Sequence, residues 1–572
     1  MTAVVPTNAN EASEALLTLL RNYVGSRHVL TEDRRTRRFR KGYSYGDGDV
    51  LAVVRPGTLL ELWKVFKTCI ETGRIVILQA ANTGLNGGST PYGDGYDREI
   101  VLISTMRIDR IDLLDRGRQV LCLPGATLHQ LESRIRPLGR EPHSIIGSTT
   151  IGASVVGGVC NNSGGALLRR GPAFTQLSLF ARVNADRTVS LVNHLGIELG
   201  DEPEAILSRL DRGDYSDANV EHDPAKRASD PEYETLIKDI ASPIPARYNH
   251  DPRLLREASG SSGRLCVFAV RLDTFPSAGP SSLFYIGTNT AAQLTDLRRH
   301  ILKDFANLPA AGEYLNQDAY RLAEAFGKDL YLLIRYAGTA RIPTAFGIKS
   351  GFDAITARLG LAGNLSDRLL QFLVNRLPNH LPARMNAFRD RYKHHLLLRM
   401  DGEGIEEARA YLKSIFPNDR GDFFECTPTE AEAALRHRYA IGGAAARYQA
   451  IHPERTAGMI GLDLALPRNT IEWDDILPAA VTDKIQFNNL CGHFFCQVFH
   501  TGYALKAGHN VHLVEREIIA HLDDLGIEFP SEHNVGHRYK AKAVLENFYR
   551  SLDPTNSVNP GIGRTSKKAN WQ

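Results

Sequence analysis

Two glycine-rich stretches, 79–89 and 147–171, constrain this 572-residue chain more than any other feature. The first reads QAANTGLNGGS and follows the apolar run Arg74-Ile-Val-Ile-Leu78, which has the character of a strand. Gly84, Gly87 and Gly88 stand there beside Asn82, Thr83 and Asn86. With so few large side chains, the backbone N–H groups can approach an anion closely, and the small polar residues add donors. Taken alone, the stretch is either an ordinary turn or a pyrophosphate cradle. It is not a Walker loop, because no GKS or GKT follows. It is not a GxGxxG fingerprint, and no helical pattern begins directly after it. The second stretch, GSTTIGASVVGGVCNNSGGALLRRG, interrupts its glycines with apolar pairs, which excludes a flexible linker. It predicts a buried, irregular scaffold where backbone passes close to a large ligand.

The length predicts two or three domains. A hydrophobic share of 43% and a charged share of 23% are ordinary for a globular protein. No apolar run is long enough to span a bilayer, and the N-terminus lacks a basic region followed by an apolar core, so neither a spanning helix nor a secretion signal is expected. The seven cysteines show no CxxC spacing and read as reduced thiols rather than a disulfide framework. Charge is uneven. Between Arg341 and Arg399 stand ten Lys/Arg against three acids, a net +7, while the whole chain carries +3. The cations alternate with apolar residues, as in Leu369-Leu-Gln-Phe-Leu-Val-Asn-Arg376 and His394-His-Leu-Leu-Leu-Arg399. That mixture suits an anionic lipid surface, each nearby cation contributing about 1 kcal/mol. A solvated basic face is the plain alternative. No nucleic-acid motif accompanies the charge, and no nucleic-acid partner is expected.

Residues 11–25 predict a helix, 50–54 a strand, and LLELWKVFKTCIETG another helix. Glu99–Ser104 and Gln119–Pro124 read as strands. Thr127 is the predicted N-cap of the amphipathic LHQLESRIRPLG. Residues 198–232 read as charged and loop-like, GRLCVFAV at 263–270 as a strand, and AAQLTDLRRHILKDF as a helix. The pattern is mixed α+β rather than a regular βαβ wind.

Four motifs together resemble the vanillyl-alcohol-oxidase (PCMH-type) family of FAD enzymes: QAANTGLNGGS, IGSTTIGASVVGGVCNNSGG, GRLCV and the C-terminal DPTNSVNPGIG at 553–563. PLGREPHSIIGS and PARYN extend the likeness toward the bacterial respiratory branch that oxidises D-lactate and passes electrons to quinone. The resemblance implies an FAD-binding domain over 1–272 (PCMH-type over about 40–230) of two α/β subdomains, completed by 520–572. It implies an α+β cap over 273–315, 400–430 and 455–519, and a basic membrane-associating region over 316–399, to which 431–454 can be added. It also implies a peripheral protein on the cytoplasmic face of the bacterial inner membrane, with D-lactate, a membrane quinone and anionic phospholipid as partners. No obligate protein partner is expected. Carried over residue by residue, the FAD contacts are Ala80, Ala81, Asn82, Thr83, Gly84, Gly88, Ser89, Gly147, Ser154, Gly164 and Val267. Some relatives bond flavin through a histidine in the first loop. No histidine or cysteine lies in 79–89, so non-covalent FAD is expected.

Oxidising a 2-hydroxy acid needs a base for the hydroxyl proton, a cation for the carboxylate and a hydride acceptor. Histidine is the natural base near neutral pH. His493 and His500 stand seven apart in GHFFCQVFH, and Glu532-His533 follow in SEHNVGH. Related 2-hydroxyacid dehydrogenases carry such a histidine pair and a Glu-His. This resemblance implies His533 as base and a divalent metal on His493, His500 and Glu532. The chain departs from those relatives in having FFCQVF between the histidines, Val498 in place of an asparagine, and Gly461 in place of a lysine. Direct binding of substrate by the histidines therefore stands beside the metal reading. For the carboxylate, Arg438 is the candidate and Arg447 its rival, since arginine offers bidentate geometry. His537 reads as a local hydrogen-bonding residue. The implied activity is oxidation of D-lactate to pyruvate. The alternative is another 2-hydroxy acid, 2-hydroxyglutarate or glycolate, with a soluble acceptor.

Overall fold

The computed structural model describes residues 9–42, 45–144, 149–338, 341–359 and 364–572. The fold is α+β, built on three main sheets. In the first, Ala52–Val54, Ile100–Ser104 and Ile75–Gln79 run parallel, and Val29–Leu30 adds an antiparallel edge. These strands are almost wholly apolar, as a sheet buried on both faces requires. Leu59–Glu71 packs against this sheet, its start capped by the Thr58 hydroxyl accepting from Glu61 N–H. The first glycine loop leaves at the end of Ile75–Gln79.

The second sheet is antiparallel, in the order Ile111–Leu114, Gln119–Cys122, Cys266–Asp273, Ser178–Val183, Val189–Asn193. Thr127 caps Leu128–Ile135 in a capping box with Gln130, as its sequence predicts. One loop assignment is corrected here. Within 198–232 the chain forms the helix Pro203–Arg212, with Pro203 in its first turn and Ile206, Leu207 and Leu210 buried. The surrounding acids hide that apolar stripe in a composition-based reading.

The third sheet has eight strands. Its path runs Gly421–Glu425, Ser281–Thr288, His394–Asp401, Ala311–Asn316, Cys491–His493, Val498–Lys506, Thr456–Ala465, and Ile485–Asn488 pairs with Val498–Lys506 off this path. Helices Gln317–Phe326, Lys328–Ala337, Ile342–Arg358, Leu365–Val374 and Ala383–Arg391 fill the interval between two of its strands. The long helix Pro428–Ile451 packs on the first two of these. No helix among the described residues is long and apolar enough to cross a membrane.

The basic interval is not uniform. His394–Arg399, read from sequence as part of a lipid-facing mixture, is a buried inner strand paired on both sides. Its apolar run is explained by burial in the sheet. Leu365–Val374 behaves differently: Leu369, Phe372 and Leu373 are exposed, as are Tyr336, Ile348 and Phe352 on neighbouring helices. Several cations of the interval are held by acids, Lys349 by Asp353 and Asp367, Arg384 by Glu430, and Arg389 by Glu324.

The C-terminal segment returns to the first sheet. Val76 N–H donates to Ser557 O at 2.8 Å, and Asn559 N–H donates to Val76 O at 2.8 Å. Asn559 Nδ2 donates to Gly88 O at 2.8 Å and Ser262 O at 3.0 Å, tying the tail to the first glycine loop.

Candidate active site

Sequence spacing alone does not place His493 and His500 together; the sheet does. Cys491–His493 and Val498–Lys506 are antiparallel neighbours, joined by a short turn in which Gln497 takes a left-handed conformation (φ 52°). Side chains that alternate along both strands bring the two imidazoles to one face, with ring centres 5.5 Å apart. The segment Ser531–Asn534 crosses that face. His493 Nε2 lies 3.2 Å from Glu532 Oε2, and His500 Nε2 lies 3.9 Å from the same oxygen. His533 stacks on His500 at 5.7 Å.

Four residues that sequence reasoning did not select hold this group in place. Asp463, from the strand Thr456–Ala465, accepts from Ser531 Oγ at 3.0 Å, Glu532 N–H at 2.7 Å and His533 N–H at 3.0 Å. Its two oxygens also face His500 Nδ1 at 3.2 Å and His533 Nδ1 at 3.3 Å. Glu313 lies 2.6 Å from His493 Nδ1. Arg247 is buried against Glu532 and donates to Gly165 O at 2.7 Å. Asn249 Nδ2 donates to Asn161 O at 2.7 Å and to His533 O at 3.1 Å. A signal existed for two of them, because Arg247 and Asn249 belong to PARYN. Asp463 is the aspartate two after Gly461, whereas nothing around Glu313 distinguishes it from a surface acid.

Burial and charge set the protonation states. Burial disfavours the His493 cation, but Glu313 and Glu532 on its two nitrogens outweigh it and raise the imidazole to about 10. Burial alone would raise Glu313, yet His493 and Arg438 bring it down to about 2. Against the same burial, Arg247 and His493 hold Glu532 well below the usual carboxylate range. Burial lowers His500.

Arg438 joins the cluster, with Nε 3.0 Å from Glu313. Arg447 does not: it pairs with Asp329 at 2.6 Å and Asp367 at 3.2 Å among the helices. His537 contacts Thr90 O through Nε2 at 2.8 Å and stacks on Tyr92, the local role its sequence suggests.

Both glycine stretches meet this segment. A Cβ on Gly88 would fall 2.2 Å from the Asn534 side chain, and one on Gly164 would fall 2.3 Å from Glu532 Oε1. Asn534 also bonds Asn161, and Asn86 Nδ2 donates to Asn534 O at 2.7 Å. Ser154 accepts from Gly157 N–H at 3.0 Å, and Val267 lies on the inner strand Cys266–Asp273. Gly147 lies outside the described residues. In the first loop, Asn82 Nδ2 donates to Lys41 O at 2.9 Å and Ser89 Oγ donates to Asn82 Oδ1 at 3.1 Å, which fixes the side chains. The N–H groups of Asn82, Thr83 and Gly84 have no acceptor in the chain among the described residues. That is the free donor row a pyrophosphate requires.

Residues 50–184 match a family model described as an FAD binding domain, and 283–571 match one described as D-lactate dehydrogenase, membrane binding. Along 98% of this chain and 98% of the relative, 50% of residues are identical to the quinone-dependent D-lactate dehydrogenase of Escherichia coli K12. The chain belongs to the quinone-dependent D-lactate dehydrogenase family. The Haemophilus influenzae member is 47% identical over 98% of this chain and 99% of its own, and the Corynebacterium glutamicum member 43% over 99% and 98%. Among solved structures, p-cresol methylhydroxylase with substrate bound has a TM-score of 0.60 at 13% identity, covering 98% of each chain. A 4-ethylphenol oxidase from Gulosibacter chungangensis reaches 0.56, also at 13% identity and 98% of each chain. These two likenesses establish the fold.

The residues fit FAD: the N–H groups of 82–84 are without a chain acceptor among the described residues, and their loop packs through Gly88 on Asn534, next to His533. They also fit a divalent cation in part. Ligand atoms of His493, His500 and Glu532 lie within 4.8 Å of one another. The Nδ1 atoms of both histidines face carboxylates, the usual outer support of a metal-bound imidazole.

Proposed function

We propose that this protein oxidises D-lactate to pyruvate with FAD and delivers the two electrons to a membrane quinone. The observation that carries this reading is the convergence of His493, His500, Glu532, His533 and Arg438 on the face where both glycine stretches arrive. Asp463 holds His533 by Nδ1, which leaves Nε2 to take the lactate hydroxyl proton. Arg438 reaches Glu313 through Nε and offers its Nη groups to the lactate carboxylate. His493, kept cationic by two carboxylates, adds positive charge beside that carboxylate. When bound, FAD supplies the acceptor for the C2 hydride. Lactate thus loses two electrons and two protons, and a quinone gains the same to become a quinol. Ala80–Gly84, Gly88, Ser89, Ser154, Gly164 and Val267 would hold the flavin by contacts, so acid precipitation should leave a colourless pellet.

His533→Ala should retain yellow FAD yet lose bleaching by D-lactate, with a fall of about 10²–10⁴ in the rate, the range for removing a general base. Normal bleaching in that variant would remove His533 from the mechanism. A panel of both lactate enantiomers, 2-hydroxyglutarate and glycolate separates the substrates.

The Nδ1 pairing of His493 and His500 favours a second reading, in which His493, His500 and Glu532 would hold a divalent metal, whose charge would polarise the substrate. Elemental analysis decides: one metal per chain, with activity lost to a chelator while the yellow colour stays, supports it. Undiminished turnover in metal-free protein returns the cluster to direct binding.

We propose peripheral attachment to the cytoplasmic face of the membrane, made by exposed apolar side chains as much as by charge. Phe372 and Leu373 together should contribute more than any one cation, since burying each such side chain is worth roughly 1.5–3 kcal/mol against about 1 kcal/mol per cation. Phe372→Ser with Leu373→Ser should therefore weaken pull-down by anionic vesicles by more than about tenfold, and Arg376→Glu by less. The reverse order, with full release by salt, would make the attachment electrostatic.

A further inference from the structure

Quinone-dependent turnover needs a route from the bilayer to the cofactor, and the helices 328–358 offer one. An open groove of about 530 Å³ lies between Lys328–Ala337 and Ile342–Arg358. Leu333, Ala337, Ala345 and Ile348 give it apolar walls, Tyr336 an aromatic one, and Arg341 stands at its rim. Tyr336 and Ile348 are also among the most exposed apolar side chains of the chain, and Phe352 continues that surface along the same helix. The groove thus opens on the face that carries the exposed apolar patch, within the span matched by the membrane-binding family model. Ile342–Arg358 packs against Thr149–Ile151, part of the second glycine stretch, which reaches Glu532 through Gly164. The same helix thus lines the lipid-facing groove and touches the second glycine stretch.

We propose that this groove seats the isoprenoid tail of the quinone, with the ring directed along Ile342–Arg358 toward Thr149–Ile151. A lipid acyl chain would satisfy the apolar walls alone. A quinone also uses the helix's contact with the second glycine stretch and the guanidinium of Arg341, whose N–H groups can donate to a ring carbonyl. The chemistry is that of the reading above, on which this inference rests: the ring takes two electrons and two protons and leaves as a quinol.

Ala345→Trp fills the groove without touching the histidine cluster. The test compares a decyl-substituted benzoquinone with its tail-less parent, and separately titrates 2-heptyl-4-hydroxyquinoline N-oxide, a fluorescent quinone mimic, onto the purified holoenzyme. Wild-type protein should favour the decyl compound. In Ala345→Trp that preference should vanish, and the mimic should bind at least about tenfold more weakly. D-lactate bleaching and vesicle pull-down should stay within about twofold. Retained mimic affinity and tail preference would overturn the proposal. So would vesicle binding that falls in step with quinone affinity, because the groove would then be a lipid contact only. Should Ala345→Trp fail to accumulate as a yellow protein, Leu333→Ala, which strips one wall, must weaken the mimic several-fold, and unchanged binding overturns the proposal equally. Failure of D-lactate to bleach the wild-type flavin would instead strike the functional reading, so the two failures are distinguishable.

Discussion

Asp463→Asn is expected to slow bleaching of the flavin by D-lactate by about 10³-fold while leaving FAD content unchanged. The carboxylate is almost wholly buried and serves three residues of the Ser531–His533 segment at once. Burial would push it up, but His533, His500 and the Glu532 N–H together hold it far below the ordinary range. It is therefore charged at any working pH, and it faces Nδ1 of His500 and of His533. In the proposed mechanism that contact favours the tautomer that leaves Nε2 of His533 as the proton acceptor. An asparagine keeps the shape and loses the charge, and its NH₂ group cannot accept from imidazole. In a serine-protease triad the equivalent change lowers turnover about 10⁴-fold by presenting the wrong tautomer. A somewhat smaller loss is expected here, because the backbone donors still orient the segment. Stopped-flow reduction by D-lactate measures it, and a rate within tenfold of wild type would remove Asp463 from the mechanism.

Asp553→Ala is expected to cost the most stability. This carboxylate is fully buried. It accepts from Thr555 N–H at 3.0 Å and Thr555 Oγ at 2.7 Å on one oxygen, and from Ser557 and Val558 N–H at 2.7 Å each on the other. Removing it strands three backbone N–H groups where water does not reach, at about 1–3 kcal/mol each. The turn they form delivers Ser557 and Asn559 to Val76, and Asn559 to Gly88. Loss of the turn should therefore lower the melting midpoint by roughly 5 °C or more and release flavin at lower temperature. Thermal scans followed by flavin fluorescence read both effects together. An unchanged midpoint with stoichiometric flavin would show that the tail docks without this carboxylate.

The active-site segment illustrates how far the chain can be read before it folds. Glu532-His533 and the His493/His500 pair were visible as residue types in recognisable order. Their supports were not. Glu313 lies 180 positions from His493, and Asp463 lies 70 from His533. Such partners leave no periodic trace, because strand pairing decides them. The helix Pro203–Arg212 was hidden for a different reason, since its apolar stripe is short and flanked by acids. His394–Arg399 misled in the opposite direction: an inner strand and a lipid-facing segment can share one composition.

Local backbone chemistry was determined by the sequence alone. Glycines at 87 and 88 commit the first loop to close approach, and Thr127 with Gln130 commits a helix start. These depend on neighbours a few residues apart, where conformational freedom and short hydrogen bonds dominate. Tertiary structure decided everything that depends on charge in a buried place. It placed Arg438 in the histidine cluster beside Glu313, and Arg447 among the helices against Asp329 and Asp367. It kept His493 cationic by setting Glu313 and Glu532 on either side. It also turned the end of a basic stretch, His394–Arg399, into sheet core. The cause is the same in each case: burial multiplies the strength of an ion pair, and only the folded chain determines which charges are buried together.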